Sequence, residues 1–181
     1  MEDDIVFETH AVEIPNPGVP CVDPLAPGVT CVDVPISYEK GYIESGYASQ
    51  PKYAHFGDAG LDLRAYFPDN SFAWIQPGQS TMLRTGIHMA LPTGTVGLIF
   101  PRSGLGSRGL VLKNLVGVID SGYRGEIKLP VWNTGDTQFL IRNGDRIAQM
   151  IIMPYYAGIF TYQEELPDTD RSSDGFGSTG I

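Results

Sequence analysis

Short apolar runs rich in β-branched and aromatic residues alternate with turn-forming residues from about residue 52 onward. Val, Ile, Thr and aromatic residues favour strands, whereas Gly, Pro, Asn and Asp interrupt them. The pattern predicts strands at residues 60–66, 72–76, 80–91, 95–100, 115–119, 126–131 and 146–154. No segment shows a convincing helical periodicity. An all-β sandwich, jelly roll or small barrel is therefore expected.

The runs 115–119 and 126–131 flank the turn Asp120-Ser121-Gly122, which predicts a hairpin with a carboxylate near its tip. Unpaired main-chain groups beside such a turn can pair with a flat heterocycle. Tyr123 is close enough in sequence to pack on a sugar or base. Asp and Ser in turns also commonly bond only their own backbone. A purely structural role for Asp120 therefore stays open on these residues alone.

Two apolar strands carry further expectations. Pro130 lacks a ladder donor, which predicts an edge strand or a bulge there. The run 146–154 is apolar on both faces, as expected at a subunit contact. The residues expected in the core or in an interface are Ile127, Leu129, Val131 and Trp132.

The first fifty residues differ from the rest because Pro17-Gly18-Val19-Pro20-Cys21-Val22-Asp23 recurs as Pro27-Gly28-Val29-Thr30-Cys31-Val32-Asp33. Two copies do not make a solenoid, and the proline density predicts extended structure. We expect an N-terminal arm at 1–50, a β domain at 51–163 and a C-terminal tail at 164–181. The arm is expected to pack on its own domain or a neighbour, or to stay a partly ordered tail.

Composition limits the partners. The 181 residues carry a formal net charge of -9, which argues against direct nucleic-acid binding, since such binding uses Lys and Arg on phosphates. Any phosphate site must then be local. The acidic start of the chain and the lack of a long apolar run predict no membrane association and a cytoplasmic location, or the interior of a host cell. Cys21 and Cys31 lack zinc-site spacing, and a disulfide is disfavoured in a reducing compartment.

Polar, glycine-containing segments recur along the chain. Asp62 stands between apolar neighbours, so it is either a turn-bonded structural acid or faces a cation. The segment Pro101-Arg102-Ser103-Gly104-Leu105-Gly106-Ser107-Arg108-Gly109 has the composition of a phosphate cradle, with a plain surface loop as the alternative. Gln149 is a lone amide in an apolar strand and needs a backbone or ligand partner.

The last polar segment is Asp170-Arg171-Ser172-Ser173-Asp174-Gly175-Phe176-Gly177-Ser178-Thr179-Gly180. It lacks the Gly-Lys-Ser/Thr end of a P-loop. Its Arg, Gly and hydroxyl residues suit a polyphosphate, and its Phe can stack on a base. We expect it to be mobile until a ligand orders it, and a floppy tail is the alternative.

In order, five of these segments resemble the five motifs of the homotrimeric deoxyuridine triphosphatases, the dUTPases. The resemblance covers residues 51–181. It implies a distorted jelly roll of the β-clip type, with three active sites between subunits, each completed by a neighbour's tail. The segments are those of Asp62, Pro101-Arg102-Ser103-Gly104, Asp120, Gly144-Asp145-Arg146-Ile147-Ala148-Gln149 and Gly175-Phe176-Gly177-Ser178-Thr179-Gly180.

The resemblance implies hydrolysis of dUTP to dUMP and pyrophosphate, which keeps uracil out of DNA and supplies dUMP for dTMP synthesis. Asp120 would be the general base that activates water for attack on the α-phosphorus. Tyr123 would exclude a 2′-hydroxyl sterically, and main-chain polarity would oppose cytosine. The uracil-reading residues would be Asn114, Gly117, Val118 and Ile119.

The resemblance also implies that Mg²⁺ bridges the phosphate oxygens and that Asp62 reaches it through ordered water, since magnesium dehydrates reluctantly. Asp62 and Asp120 are then the candidate catalytic residues. The remaining candidate substrate contacts are Arg102, Ser103, Gly104, Lys128, Gln149, Arg171, Phe176, Gly177, Ser178 and Thr179.

Two alternatives stay open. A dCTP deaminase of the same fold needs an additional acid, which the segment Ile127-Lys128-Leu129-Pro130 does not offer. A non-catalytic regulatory protein would use the same body and the N-terminal arm to hold a protein partner. The tail also departs from the family pattern, since Ser172 and Asp174 stand where glycines are usual. This difference predicts either weaker closure over phosphates or an Asp174 side chain that points outward.

Overall fold

The computed structural model describes residues 32–43, 51–55 and 57–167. Within these ranges the chain is almost entirely strand, with one helix of a single turn, α1 (Ser103–Gly106). The all-β prediction is confirmed. The strands are β1 (Ile36–Tyr38), β2 (Leu61–Arg64), β3 (Phe72–Ile75), β4 (Ser80–Arg84), β5 (Ile87–Met89), β6 (Thr95–Pro101), β7 (Leu110–Leu112), β8 (Gly117–Asp120), β9 (Lys128–Asn133), β10 (Phe139–Arg142) and β11 (Arg146–Pro154).

The strands form four antiparallel sheets. A four-stranded sheet has the order β2-β11-β6-β8, a three-stranded sheet has the order β4-β9-β7, and β1-β5 and β3-β10 are two-stranded. The side chains of Leu63, Leu129 and Met150 are fully buried in the core between them. Because side chains alternate along a strand, β2 buries Leu61 and Leu63 and turns Asp62 to the opposite face.

Strand β11 is the one the sequence located best. It runs from Arg146 to Pro154, as predicted, and lies between β2 and β6. Ile147, Ala148 and Met150 are buried, whereas Met153 near its end is exposed. The first half of β11 is therefore buried on both faces by its own chain, whereas its end remains exposed.

The predicted single strand 80–91 is wrong, because the chain bends at Gly86 between β4 and β5. Gly86 has a φ of +67°, and a Cβ placed on it would lie 2.5 Å from Cδ2 of Tyr42 and 2.7 Å from Cδ1 of Tyr66. A positive φ breaks the extended backbone, and the two tyrosines occupy the space where a side chain would stand. The two halves consequently enter different sheets.

The predicted hairpin around Asp120 is also wrong. Strand β8 pairs with β6, whereas β9 pairs with β4 and β7. The turn itself forms, since Tyr123 N donates to Asp120 O at 3.0 Å, but Ile127 N then donates to Ile87 O at 2.9 Å. The chain therefore leaves one sheet at Asp120 and enters another at Ile127, since each flanking strand finds its partners elsewhere.

Pro130 lies in a central strand, contrary to the prediction of an edge or a bulge. Lys113 N donates to Pro130 O at 2.7 Å, one residue beyond the last residue of β7, Leu112. The donor that proline lacks would face this same side, where the ladder is ending, so the loss is small. Ile127, Leu129 and Val131 are buried as predicted, but Trp132 alternates outward, is 40 % exposed and does not join the core of this chain.

The described part of the predicted arm, residues 32–43, packs on its own domain. β1 pairs with β5, and Tyr42 is 2 % exposed within the core. Cys21, Cys31 and most of the duplicated segment lie outside the described residues. Among the residues that the structure describes, none of the helices is long and apolar enough to span a membrane.

Candidate functional site

A carboxylate held by two guanidinium groups forms the centre of the candidate site. Nε of Arg102 lies 2.9 Å from Oδ1 of Asp62, and Nη1 of Arg146 lies 3.2 Å from Oδ2. The Asp62 side chain is only 10 % exposed. Of the two roles open to Asp62, the structure favours the one that faces cations. Each guanidinium group keeps further N–H donors beyond its bond to Asp62, and these donors can bind an anion.

This cluster lines an open cavity of about 530 Å³ at the end of β6. Arg102, Ser103 and Gly104 enter it from the start of α1, where Gly106 N donates to Arg102 O at 2.8 Å and winds the loop into one helical turn. The predicted loop is thus partly helical. The cavity is lined by Ala54, His55, Asp58, Ala59, Gly60, Asp62, Arg102, Ser103, Gly104, Arg146 and Gln149.

Gln149 finds a backbone partner at the cavity wall. Its Nε2 donates to Pro101 O at 3.3 Å. A Cβ on Gly60 would lie 2.6 Å from Oε1 of Gln149, so the absence of a side chain at Gly60 makes room for this amide. The two contacts hold Gln149 at the cavity beside Arg102.

Asp120 and the predicted uracil-reading residues lie on β8. The strand alternates, so that Gly117 is buried against Ile99 while Val118 and Asp120 are exposed on the other face. β8 is an edge strand of its sheet in the described part of the chain. Its outer side therefore presents main-chain groups that a ligand can reach. Asn114 is exposed in the turn that leads into β8.

Tyr123 is anchored close to the Asp120 turn. Its hydroxyl donates to Glu126 O at 2.9 Å, and its ring contacts Gly125, where a side chain would collide with it. The ring remains 43 % exposed. It therefore has a fixed orientation and a face open to a ligand.

The residues around the Asp62 cavity and those around Asp120 lie at opposite ends of β6. Val96 is the register partner of Asp120, whereas Arg102 directly follows the last residue of β6, Pro101. Six residues of extended chain separate Val96 from Arg102, which is about 20 Å at the usual rise per residue. A single chain thus does not bring Asp120 to the Asp62 cavity.

Residues 46–180 match the family model described as dUTPase. The chain belongs to the dUTPase family. A dUTPase from the gamma-proteobacterium EBAC31A08 is 49 % identical over 133 residues, covering 72 % of this chain and 94 % of that protein. One from Burkholderia cenocepacia is 47 % identical over 133 residues, covering 72 % of this chain and 88 % of that protein. Both are named deoxyuridine 5'-triphosphate nucleotidohydrolase.

A solved dUTPase has a similar fold. The Staphylococcus bacteriophage 80alpha dUTPase, solved with dUPNHPP, is 25 % identical and superposes with a TM-score of 0.71, covering 82 % of this chain and 99 % of that one. The predicted family and the jelly-roll-like fold are confirmed by these matches.

One predicted residue of this dUTPase lies in another sheet, and the predicted tail contacts lie outside the described residues. Lys128 begins β9 in a different sheet, and its Nζ lies 3.9 Å from Oε2 of Glu126. The predicted tail contacts Arg171, Phe176, Gly177, Ser178 and Thr179 lie outside the described residues.

Sequence reasoning placed Arg146 in a motif but gave it no role. Its signal was its position in the segment Gly144-Asp145-Arg146-Ile147-Ala148-Gln149, three residues before Gln149. His55 and Asp58 were missed altogether. Asp58 Oδ2 accepts from His55 N at 2.9 Å and closes the loop before β2, and no distinctive motif marked this contact.

Proposed function

We propose that this dUTPase hydrolyses dUTP to dUMP and pyrophosphate in active sites shared between the protomers of a homotrimer. The observation that carries the proposal is the separation of Asp120 from the Asp62 cavity by about 20 Å along one sheet. If one nucleotide needs both groups, they must come from different chains. The names of the curated relatives and the nucleotide analogue in the bacteriophage enzyme support the substrate.

The cavity around Asp62 is suited to the triphosphate. Arg102 and Arg146 supply fixed positive charge, and Ser103 adds a hydroxyl donor. Gln149 lies at the same wall. These groups can neutralise charge on non-bridging oxygens and hold the phosphate chain during displacement. The overall negative charge of the protein makes such a local concentration of cations necessary for a polyanionic substrate.

Mg²⁺ fits this site when it is held mainly by the substrate. The described residues contain no group of three or more His, Cys, Asp or Glu side chains that could hold a metal ion. Both Asp62 oxygens already accept from guanidinium groups, which leaves lone pairs suited to metal-bound water. Asp62 would therefore hold the ion through water. The ion would neutralise phosphate charge in the reaction.

Asp120 is the proposed general base. It is exposed at the end of β8, where its carboxylate can accept a proton from a water that attacks the α-phosphorus. The main chain of β8, with Asn114, would bind uracil along the open edge of the sheet. Gly117, Val118 and Ile119 supply the strand, and Tyr123 would pack on the deoxyribose. Lys128 would lie beside the nucleotide.

The exposed segment after β11 supports an oligomer. Within residues 155–167, Tyr156, Ile159 and Phe160 are almost fully exposed although they are large and apolar. Apolar side chains gathered in one segment favour burial against another chain. We propose that this segment, and the tail from 164 to 181 with Arg171, Phe176, Gly177, Ser178 and Thr179, lie on neighbouring protomers.

Two further proposals concern organisation. We propose a division into an arm at 1–50, of which residues 32–43 pack on the domain, a domain at 51–163 and a tail at 164–181. The arm is a candidate for binding a protein partner. We also propose that the reaction takes place in the cytoplasm or the interior of a host cell, where its product dUMP would supply dTMP synthesis.

A product assay separates this activity from its alternatives. The protein is incubated with dUTP or dCTP and Mg²⁺, and both pyrophosphate and ammonia are measured. Pyrophosphate from dUTP alone supports the proposal, ammonia from dCTP would indicate a deaminase, and neither product would indicate a regulatory protein. Glu126, the next acid along the chain after Asp120, argues against deamination because Arg84 and Gly86 N occupy its oxygens.

The general-base role is tested with Asp120→Asn. This variant should bind a non-hydrolysable dUTP analogue as the wild type does, while turnover falls by at least about a hundredfold, since general-base catalysis contributes on that order. Asp136→Asn is the matched control, because Asp136 is also exposed but neither lines the Asp62 cavity nor belongs to β8. Turnover that survives in Asp120→Asn would refute the role.

A further inference from the structure

His88 links the segment after β1 to the loop that follows Asp120. Its Nδ1 lies 2.9 Å from Arg124 O, and its Nε2 lies 3.1 Å from Oε1 of Glu39. Ser37 is the β1 register partner of His88, so the pairing of β1 with β5 sets this side chain beside Glu39. One imidazole thus spans two segments that are far apart in sequence.

Both partners of the imidazole can only accept a hydrogen bond. A main-chain carbonyl has no proton to give, and an ionised carboxylate has none either. The His88 hydrogen bond and the nearby charge of Arg84 lower the pKa of Glu39, which keeps this carboxyl ionised. A neutral imidazole can donate from one nitrogen only. The imidazolium form alone satisfies both contacts.

The charged side chains around His88 form a series of ion pairs. Nη2 of Arg84 lies 3.3 Å from Oε2 of Glu39, and its Nε lies 2.9 Å from Oε2 of Glu126. Lys128 stands 3.9 Å from the same Glu126 oxygen. The guanidinium of Arg124 donates to main-chain oxygens within its own loop. Of these charged groups, Glu39 is the one that His88 contacts.

Arg124, whose carbonyl oxygen contacts His88, makes hydrogen bonds across the loop that follows Asp120. Nη1 of Arg124 donates to Ser121 O at 2.6 Å and to Tyr123 O at 2.8 Å. The loop begins at Asp120, which accepts from Tyr123 N. A bond to the Arg124 carbonyl thus restrains the same short loop that carries both Asp120 and Tyr123.

We propose that His88, donating from both ring nitrogens to Glu39 and to the Arg124 carbonyl, is a positioning residue for the Asp120 loop. The inference rests on the proposed role of Asp120. Errors of about 1 Å in the placement of a catalytic group can cost up to a hundredfold in rate. The described part of the N-terminal segment thereby takes part in holding the active site.

The test uses the full-length enzyme and the variants His88→Gln, Glu39→Gln and the double variant. His10→Gln repeats the first chemical change outside the described residues, and Asp33→Asn removes an exposed carboxylate from the segment that holds Glu39. For each variant, kcat and KM for dUTP are measured at one pH near neutrality. Thermal unfolding and the folded fraction are measured in parallel.

His88→Gln should lower kcat about tenfold and change KM less than about twofold. The loop carries the proposed general base, Asp120, whereas the phosphates would bind at the Asp62 cavity. Because both residues act through one link, the double variant should lose no more than the worse single variant. The controls should match the wild type.

A kcat in His88→Gln equal to that of the wild type would overturn the proposal. Additive losses in the double variant would overturn it too, as would a loss explained wholly by a smaller folded fraction. The failure of the base assignment is distinguishable, because Asp120→Asn would then retain turnover whatever His88 does. If Asp120→Asn is inactive while His88→Gln is unaffected, the positioning role alone fails.

Discussion

Nε of Arg102 donates to Oδ1 of Asp62 across 2.9 Å, although the two residues are forty positions apart and lie on different strands or loops. Arg146 contacts the other carboxylate oxygen. The acid therefore orients both arginines at one cavity, and it limits the repulsion between them. Removing its charge should disturb the phosphate site more than removing an exposed acid.

Asp62→Asn should lower kcat/KM for dUTP by roughly tenfold to a hundredfold, which corresponds to about 1.5–3 kcal/mol for losing charged hydrogen bonds. The Mg²⁺ concentration needed for half-maximal rate should rise. Steady-state kinetics at several Mg²⁺ concentrations measure both effects, with Asp136→Asn as the control. An unchanged kcat/KM and metal requirement would show that the carboxylate does not serve the site.

Gly86→Ala should destabilise the fold. The φ of +67° disfavours a side chain, and the new Cβ would collide with Tyr42 and Tyr66. We expect a loss of about 2–4 kcal/mol in the free energy of unfolding, from left-handed backbone strain and overpacking together. Denaturant unfolding measures it.

Gly94→Ala is the matched control for this change. Gly94 also has a positive φ, of +83°, but no atom lies within 4 Å of the added Cβ. Gly94→Ala should lower the free energy of unfolding by about 1–2 kcal/mol, because only the backbone strain applies there. Equal losses in the two variants would refute the role of tyrosine packing.

The alkaline limit of stability should depend on Tyr38. Burial, and secondarily the charge of Tyr42, raise the pKa of Tyr38 to about 12. The folded state holds this proton more tightly than the unfolded chain, in which tyrosine titrates near 10. Its contribution to stability is therefore complete below about pH 10 and is lost as pH rises through the folded value.

Tyr38→Phe should flatten this alkaline decline in the free energy of unfolding. Tyr162→Phe, at an exposed position, should leave the decline unchanged. Denaturant unfolding at a series of pH values above neutrality makes the comparison. Identical curves for Tyr38→Phe and the wild type would place the alkaline loss elsewhere.

Local patterns predicted much of this fold. The strand 146–154 was located correctly because its apolar residues form a continuous run that a local reading detects. Gly86 was missed as a break because its contacts, Tyr42 and Tyr66, come from distant parts of the chain. The same reason explains the wrong hairpin, since β8 and β9 each pair with strands that only the fold brings near.

The candidate site shows a similar division. Its residue types followed from motif composition and family resemblance, so Asp62, Arg102 and Gln149 were expected together. The ion pairs of Asp62 with Arg102 and Arg146 could not be read from the sequence, because they join three separate elements. Nor could the distance between Asp120 and Arg102, which depends on the register of β6 and β8.

The most direct test of shared active sites is complementation between two inactive variants. Asp120→Asn and Arg102→Gln are purified alone, then mixed as equal amounts of denatured chains and refolded together, with dUTP turnover measured throughout. Random assembly should restore about a quarter of the sites, since each needs an intact Asp120 from one chain and an intact Arg102 from its neighbour. Activity near that level is the predicted result. A mixture no more active than either variant alone would contradict a site built between protomers.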